Sequence, residues 1–414
     1  MLARNKIARA SVIEGPWQLP PGWEWRLLGE VCRINPKRPR VERSDKQSTS
    51  FLPMQGVDEV NGVIASLETR PYREVARGFT YFEEGDVLFA KITPSMQNGK
   101  CTVARNLIDG IGFGSTEFHV LRPGPGVTPD WIHRFLRRLS FRLEAKTHFR
   151  GAVGQQRVPD EFLKTSLIPV PPTIVTQQSI IARLEAMLED AKVVRKIVNN
   201  TQRAIEGVID AALDKAFSKL NESCEKVSLG DKKYASVIPG QHIMASDYSI
   251  QPTGTPYITG PEDFGPRYPA VRRWTQKPKV LCVPSDVLFT VKGAGVGKIN
   301  LAPADDPAAI GRQIMAIRPE TKFLLTEYLF FALLGRFDEF QSLRQGAAIP
   351  GIRKEHVEAI KLPLPSISIQ RQIISHLNSI QSDVDNLKRS NAKSAARLEE
   401  VEQTILEMAF RGEL

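Results

Sequence analysis

Gly85-Asp86-Val87-Leu88-Phe89 in the first half of the chain returns as Ser285-Asp286-Val287-Leu288-Phe289, two hundred residues on. Four more pairs follow in the same order. Leu121-Arg122-Pro123 matches Ile317-Arg318-Pro319, and Ile168-Pro169-Val170-Pro171 matches Leu362-Pro363-Leu364-Pro365. Ile180-Ile181 matches Ile373-Ile374, and Ala216-Phe217 matches Ala409-Phe410, so the offset drifts smoothly from 200 to 193. Order-preserving recurrence with a slowly shrinking offset is the mark of a duplicated unit, here of roughly 195 residues. Leu28-Gly29 against Leu229-Gly230 extends the repeat towards the start of each copy.

Each copy ends in the same way, with a proline-punctuated segment followed by a proline-free stretch, Gln177 to Phe217 and Gln370 to Phe410. Proline inside a helix removes a hydrogen bond and clashes, so Pro171-Pro172 and Pro365 mark where helices begin, with Thr173, Thr176, Ser366 and Ser368 as hydroxyl caps. Within the first stretch Ile180, Leu184, Met187, Ala191, Val194, Val198, Thr201, Ile205, Val208 and Ala212 step by four and three. The second repeats the pattern at the same 193-residue offset with Ile373, Leu377, Ile380, Val384, Leu387, Asn391, Ser394, Leu398, Val401 and Ile405. A sustained period of 3.5 predicts a coiled-coil seam. Helices of this length run about 60 Å, too long to be buried in one small globular unit. They are therefore expected to pair with each other, antiparallel, with a globular unit carried at each end. Asn391 and Ser394 interrupt the second seam with polar side chains, a device that can fix register.

Composition narrows the classes. At 414 residues, with 42% apolar and 25% charged residues, the chain can bury cores and is neither disordered nor fibrous. It holds no run of about 18 apolar residues, and its N-terminus lacks the apolar stretch of a secretory signal; no membrane association and a cytoplasmic location are expected. Cys32, Cys101, Cys224 and Cys282 stand alone, and the six histidines have no HExxH partner, so no bound metal is expected. The net charge of +10 divides as +7 for residues 1–175, 0 for 176–217, +4 for 218–369 and −1 for 370–410. The surplus sits in the globular parts, and a polyanion would be held there.

Those parts read as mixed α and β. Asp86 to Ile92 and Lys279 to Val291 are β-rich, and Trp131 to Phe141 and Glu327 to Phe337 have helical spacing. Glycine lets a backbone approach DNA, Arg and Lys contact phosphates or guanine edges, and Gln can pair bidentately with adenine. On that chemistry the loops at 149–157 and 343–353 are candidate DNA contacts, through Arg150, Gln155, Gln156 and Arg157 in one copy and Arg344, Gln345 and Arg353 in the other. Lys91 and Lys292, just after the two Val-Leu-Phe strands, join them.

Catalytic patterns fail on inspection. Pro129-Asp130 with Glu144-Ala145-Lys146 matches a loose metal-nuclease pattern, yet its second part has helical spacing and no counterpart in the other copy. Gly293-Ala294-Gly295-Val296-Gly297-Lys298 lacks the first glycine and the final Ser/Thr of a phosphate loop, with Lys292 and Ile299 at those places. Asn35-Pro36-Lys37-Arg38 lacks the second proline and aromatic by which amino-methyltransferases hold a flipped base. No catalytic residue is assigned.

The layout resembles the specificity subunit of Type I restriction-modification systems. The resemblance is carried by Trp25-Arg26-Leu27-Leu28-Gly29-Glu30-Val31, by Gly85 to Phe89, and by Pro169-Val170-Pro171-Pro172 with Gln177 to Ile181. Pro363-Leu364-Pro365 with Gln370 to Ile374, and the terminus Ala409-Phe410-Arg411-Gly412-Glu413-Leu414, complete it; the first long stretch ends Lys215-Ala216-Phe217-Ser218-Lys219-Leu220, without the Arg-Gly-Glu-Leu of the second. The resemblance implies an α/β (mixed α+β) fold with two pseudo-repeated target recognition domains, at 1–172 and 221–365, separated by long spacer helices at 173–220 and 366–414 that form an antiparallel coiled coil. Each domain would read half of a bipartite, asymmetric site in double-stranded DNA, and the helices, through Ile180, Leu184, Met187, Val194, Val198, Ile205, Ile373, Leu377, Ile380, Leu387, Leu398, Val401 and Ile405, would set the spacer. Two modification subunits, using S-adenosylmethionine, would dock on the helices. Restriction subunits would add the Mg²⁺- and ATP-dependent steps, and the chain itself would hold no cofactor. The contrasting expectation is a non-catalytic adaptor with duplicated protein-binding domains.

Overall fold

Both halves of the chain build the same antiparallel sheet, parallel strand pair and two-stranded ribbon. The computed structural model describes residues 13–152, 155–293, 295–342 and 351–414. The chain divides into two compact units, Met1–Ile197 together with Ser394–Leu414, and Val198–Lys393.

In the first unit the Val87–Ala90 strand is buried at all four positions, as an uninterrupted Val-Leu-Phe-Ala run requires. It lies between Phe118–Pro123 and Cys101–Val103, with Cys32–Ile34 at the far edge, all antiparallel. A second four-stranded sheet runs Glu68–Pro71, Ser48–Leu52, Ile111–Gly114, Thr80–Glu83, and its central pair is parallel. A ribbon of Glu24–Leu27 and Leu167–Val170 closes the unit.

The second unit repeats this. Ala235–Pro239, Ile314–Pro319, Val287–Thr290 and Ile299–Leu301 form the antiparallel sheet in the corresponding order. Thr255–Ile258 and Ala308–Ile310 supply the corresponding parallel pair, and Lys226–Ser228 with Lys361–Pro363 the ribbon.

Buried polar anchors are duplicated with the strands. Asp86 accepts from the Glu83 N–H at 2.7 Å and binds Arg122 through both carboxylate oxygens; Asp286 does the same with Val283 and Arg318. Trp131 Nε1 donates to the Pro169 carbonyl at 2.9 Å, and the Tyr328 hydroxyl donates to Pro363 at 2.7 Å. Gln177, fully buried, donates to the Gly126 carbonyl and accepts from the Thr128 N–H. Its counterpart Gln370 donates to the Phe323 carbonyl and accepts from the Leu325 N–H. Each glutamine satisfies loop backbone groups that would otherwise be buried without partners.

The single helices read at Trp131 to Phe141 and Glu327 to Phe337 are each broken in two. Thr128 caps Pro129–Arg137 by accepting from the Trp131 N–H. The chain then turns extended at Arg138 before Leu139–Thr147. The Arg138 guanidinium, held by Glu407 and lying over Trp17, Phe135 and Phe410, accounts for the break. In the second copy Thr326–Leu334 stops at Gly335, where a Cβ would come within 3.2 Å of Leu213 Cβ.

The long helices span Ile174–Ser223 and Ile367–Arg411. Each contributes a segment to each unit. In the first unit Ile180 and Leu184 share a core with Ile405, Leu406, Ala409 and Phe410, and Arg195 pairs with Glu402. In the second, Asn391 meets Val198 and Gln202, while Leu213 and Leu377 share a core. In both, rising numbers on one helix meet falling numbers on the other, so the segments pair antiparallel.

The 3.5-residue period holds, but its phase is corrected at alternate positions. Leu184, Ala191 and Ile205 are buried, as are Leu377, Val384 and Ile405. Met187, Val194 and Val208 are instead exposed, as are Leu387 and Val401. Leu188, Arg195, Gln202 and Ile209 take the covered places one residue later, and Glu402 takes that of Val401. The long stems of Arg195 and Glu402 reach across and pair, covering apolar surface that shorter Val194 and Val401 do not.

Candidate nucleic-acid interface

In the first unit, four of the predicted contacts lie on adjoining extended segments where the central strand ends. The Lys91 N–H donates to the Glu117 carbonyl, and the Lys91 carbonyl accepts from Val158, both at 2.9 Å. Ile92 bridges Arg157, the Thr93 N–H donates to the Gln156 carbonyl, and Arg150 and Arg157 exchange both backbone bonds. Gln155 stands exposed in the intervening turn, its N–H on the Ala152 carbonyl at 3.0 Å.

The cations there differ in how free they are. Arg157 donates Nε and Nη2 to the two Glu117 oxygens, each at 2.9 Å, and Nη1 to the Gln155 carbonyl. That pairing holds the Glu117 carboxyl below its ordinary range and raises the Arg157 guanidinium. Arg150 is exposed and Lys91 half-buried, and neither side chain is bonded among the described residues. His119, next in this strand, is buried; Nε2 donates to the Val158 carbonyl at 2.8 Å and Nδ1 faces Asn35 at 3.0 Å.

In the second unit the Val291 N–H donates to the Gln313 carbonyl, and the Val291 carbonyl accepts from Ile352, both at 2.8 Å. The structural counterpart of Lys91 is therefore Val291. Lys292 bridges Gly351 one residue further on, where the first unit has Ile92. Successive residues of an extended chain face opposite ways, so Lys91 and Lys292 do not occupy equivalent faces. Lys292 is exposed, and so is Arg353 at the start of the Lys354–Glu358 helix. Arg344 and Gln345 lie outside the described residues.

Glu117 and Gln313, the paired positions just before the strands at Phe118–Pro123 and Ile314–Pro319, were missed by sequence reasoning. The repeat contained the signal: Leu121-Arg122-Pro123 and Ile317-Arg318-Pro319, extended back four residues, align Glu117 with Gln313.

The catalytic patterns resolve into structure. Asp130 accepts from Arg105 at 2.8 Å through both oxygens, and Glu144-Ala145-Lys146 lies on a helix. The described part of the glycine-rich segment, Gly295 to Lys298, lies between the Val287–Thr290 and Ile299–Leu301 strands; the Gly297 and Lys298 N–H groups are bonded to the carbonyls of Thr290 and Gly295. Burial pushes the thiols of Cys32, Cys101 and Cys282 up to about 12, far from thiolate chemistry. Among the described residues no group of three or more His, Cys, Asp or Glu is arranged to hold a metal ion, and no helix is long and apolar enough to cross a membrane.

Comparison with known proteins converges on one family. The model of the Type I restriction modification DNA specificity domain matches residues 20–199 and 251–399. The chain is 36% identical over 191 residues to the specificity subunit of the type I restriction enzyme EcoAI of Escherichia coli, covering 45% of this chain and 31% of that protein. It thus spans about a third of the length of that curated relative. The MjaX specificity subunit of Methanocaldococcus jannaschii is 27% identical, with 96% of this chain and 95% of that one aligned. Among solved structures, a chain from a type I R-M system studied for complex assembly and conformational transition superposes with a TM-score of 0.81 at 29% identity, over 96% of this chain and all of that one. The HsdS subunit of Thermoanaerobacter tengcongensis gives 0.59 at 29% identity, over 97% and 99%. The duplicated frame and the two matched segments agree: the chain belongs to the Type I restriction modification DNA specificity domain family.

Proposed function

We propose that this chain is the sequence-specific DNA-recognition subunit of a Type I restriction-modification complex and performs no chemistry itself. Each unit reads one half of a bipartite, asymmetric site in double-stranded DNA. The paired helices set the number of unread base pairs between the halves and dock two modification subunits, which bring S-adenosylmethionine. Restriction subunits supply the steps that use Mg²⁺ and ATP.

One observation carries the reading: a duplicated buried frame, with Asp86–Arg122 repeated as Asp286–Arg318, supports different polar chemistry at the same half-buried place. Glu117 with Arg157 in one unit corresponds to Gln313 with Gly351 in the other. Two copies of one scaffold with unlike polar tips suit recognition of two unlike half-sites. The free cations Lys91, Arg150, Lys292 and Arg353 fit phosphate contacts. Within each unit the 3.5-residue seam supports the spacer role.

The test is single-molecule sequencing of DNA from cells co-expressing the chain with its modification subunit, scored for methyladenine. A bipartite motif with a fixed gap, absent without the chain, is expected. Inserting seven residues in the 174–223 helix should alter the gap and leave the half-site sequences intact. No motif from an assembled complex overturns the proposal, and an unchanged gap overturns the spacer role.

A further inference from the structure

We infer that Gln313 is a base-reading residue of the second unit, selective for an adenine edge; the inference rests on the DNA-recognition reading and names where one half of that specificity resides. Gln313 is fixed by its backbone, its carbonyl accepting from the Val291 N–H at 2.8 Å, directly before the buried Ile314–Pro319 strand. Its side chain is half-buried, yet the amide makes no hydrogen bond among the described residues. Neither amide atom is enclosed, so water serves both in the free chain and a base edge can take its place.

The surroundings leave room for that approach. A Cβ on Gly260 would lie 3.0 Å from Gln313 Oε1, and one on Gly293 would lie 3.3 Å away. Neither glycine brings a side chain there, and Glu262 Oε2, which would lie 2.5 Å from the same Gly260 Cβ, borders the opening on one side. Gly293 also has φ +87, a conformation that favours glycine. Gly351, bridged to Lys292, stands where the first unit has Arg157, so Gln313 lacks the guanidinium that occupies Glu117. Arg312 and Lys292 beside it are exposed cations placed for phosphates. The Gln amide sets an N–H donor beside a carbonyl acceptor, the complement of adenine N7 and N6–H in the major groove.

The test compares methylation motifs written by the full complex carrying wild-type chain, Gln313→Ala or Gln313→Glu, with assembly and unfolding temperature checked for each. Gln313→Ala should relax selection for adenine at one position of one half-site by roughly 10- to 100-fold. Gln313→Glu, an acceptor only, should shift that position towards cytosine, whose N4 donates. The other half-site and the gap should stay unchanged. An unaltered motif in an assembled variant overturns the inference, and so does equal loss at both half-sites; either variant suffices if the other fails to assemble. A wild-type complex that writes no bipartite motif is a separate result, which removes the recognition role and the inference with it.

Discussion

Asn391 Nδ2 donates to the Val198 carbonyl at 3.1 Å and to Gln202 Oε1 at 3.3 Å, and Val198 is the very residue that the 193-residue repeat offset assigns to Asn391. A polar side chain at a seam position trades stability for register. Asn391→Leu should raise stability by roughly 1 kcal/mol in chemical denaturation. Asn391→Asp, which can only accept, faces a carbonyl it cannot bond and should lower stability by about 1–2 kcal/mol.

The two buried aspartates should differ in sensitivity. Asp86→Asn and Asp286→Asn each keep the backbone acceptor and remove the charge facing an arginine. Arg122 also pairs with Glu83 at 2.8 Å, whereas among the described residues Arg318 pairs with Asp286 alone, so Arg122 keeps a partner that Arg318 does not have. Denaturation should show a loss of roughly 1–3 kcal/mol for Asp286→Asn, moderated by the partial exposure of Arg318, and a smaller loss for Asp86→Asn.

Acid should weaken the first unit through His133. Its ring is buried, donates Nε2 to the Cys101 carbonyl at 3.1 Å, and has its pKa pushed well below 6.5 by burial, with Arg134 and Arg137 adding to the effect. The unfolded chain therefore binds a proton that the folded one does not. Stability is complete above pH 6.5 and falls below it, by up to about 1.4 kcal/mol per pH unit for this group. Denaturation between pH 7.5 and 5.5 should show that slope, and His133→Gln should flatten it.

Salt should distinguish the cations of the first site. Lys91→Ala and Arg150→Ala should each reduce the slope of log affinity against log salt by about 1. Arg157→Ala should change it less, because Glu117 already neutralises the guanidinium. DNA-binding titrations across a salt series measure all three.

How far the sequence spoke can be judged from particular residues. Val87 to Phe89 and Val287 to Phe289 were legible because a short apolar run between turn residues leaves few alternatives to a buried strand. The seam was legible at one position in each heptad, Leu184, Ala191 and Val198. It failed at the other, where apolarity pointed to Val194 and the long stem of Arg195 took the place. The parallel pairing of Ser48–Leu52 with Ile111–Gly114 left no local trace, since both partners are short and distant in the chain. Lys91 and Lys292 look alike in sequence, yet a one-residue step reverses the face of an extended chain. The pairing of Glu117 with Arg157, 40 residues apart, is written in no local pattern.

Trp131 and Tyr328 show what kind of inheritance the duplication preserves. An indole N–H in one copy and a phenol O–H in the other donate to the same address, the carbonyls of Pro169 and Pro363. Phe410 and Phe217 pack against them with tilted rings, at 4.5 and 5.5 Å between ring centres. The letter has drifted while the delivery has not. A comparison scored by residue identity undercounts the kinship of the two halves, whereas one scored by which atom reaches which carbonyl recovers it. Trp131→Tyr should then be borne far better than Trp131→Phe, which keeps the ring and abandons the address.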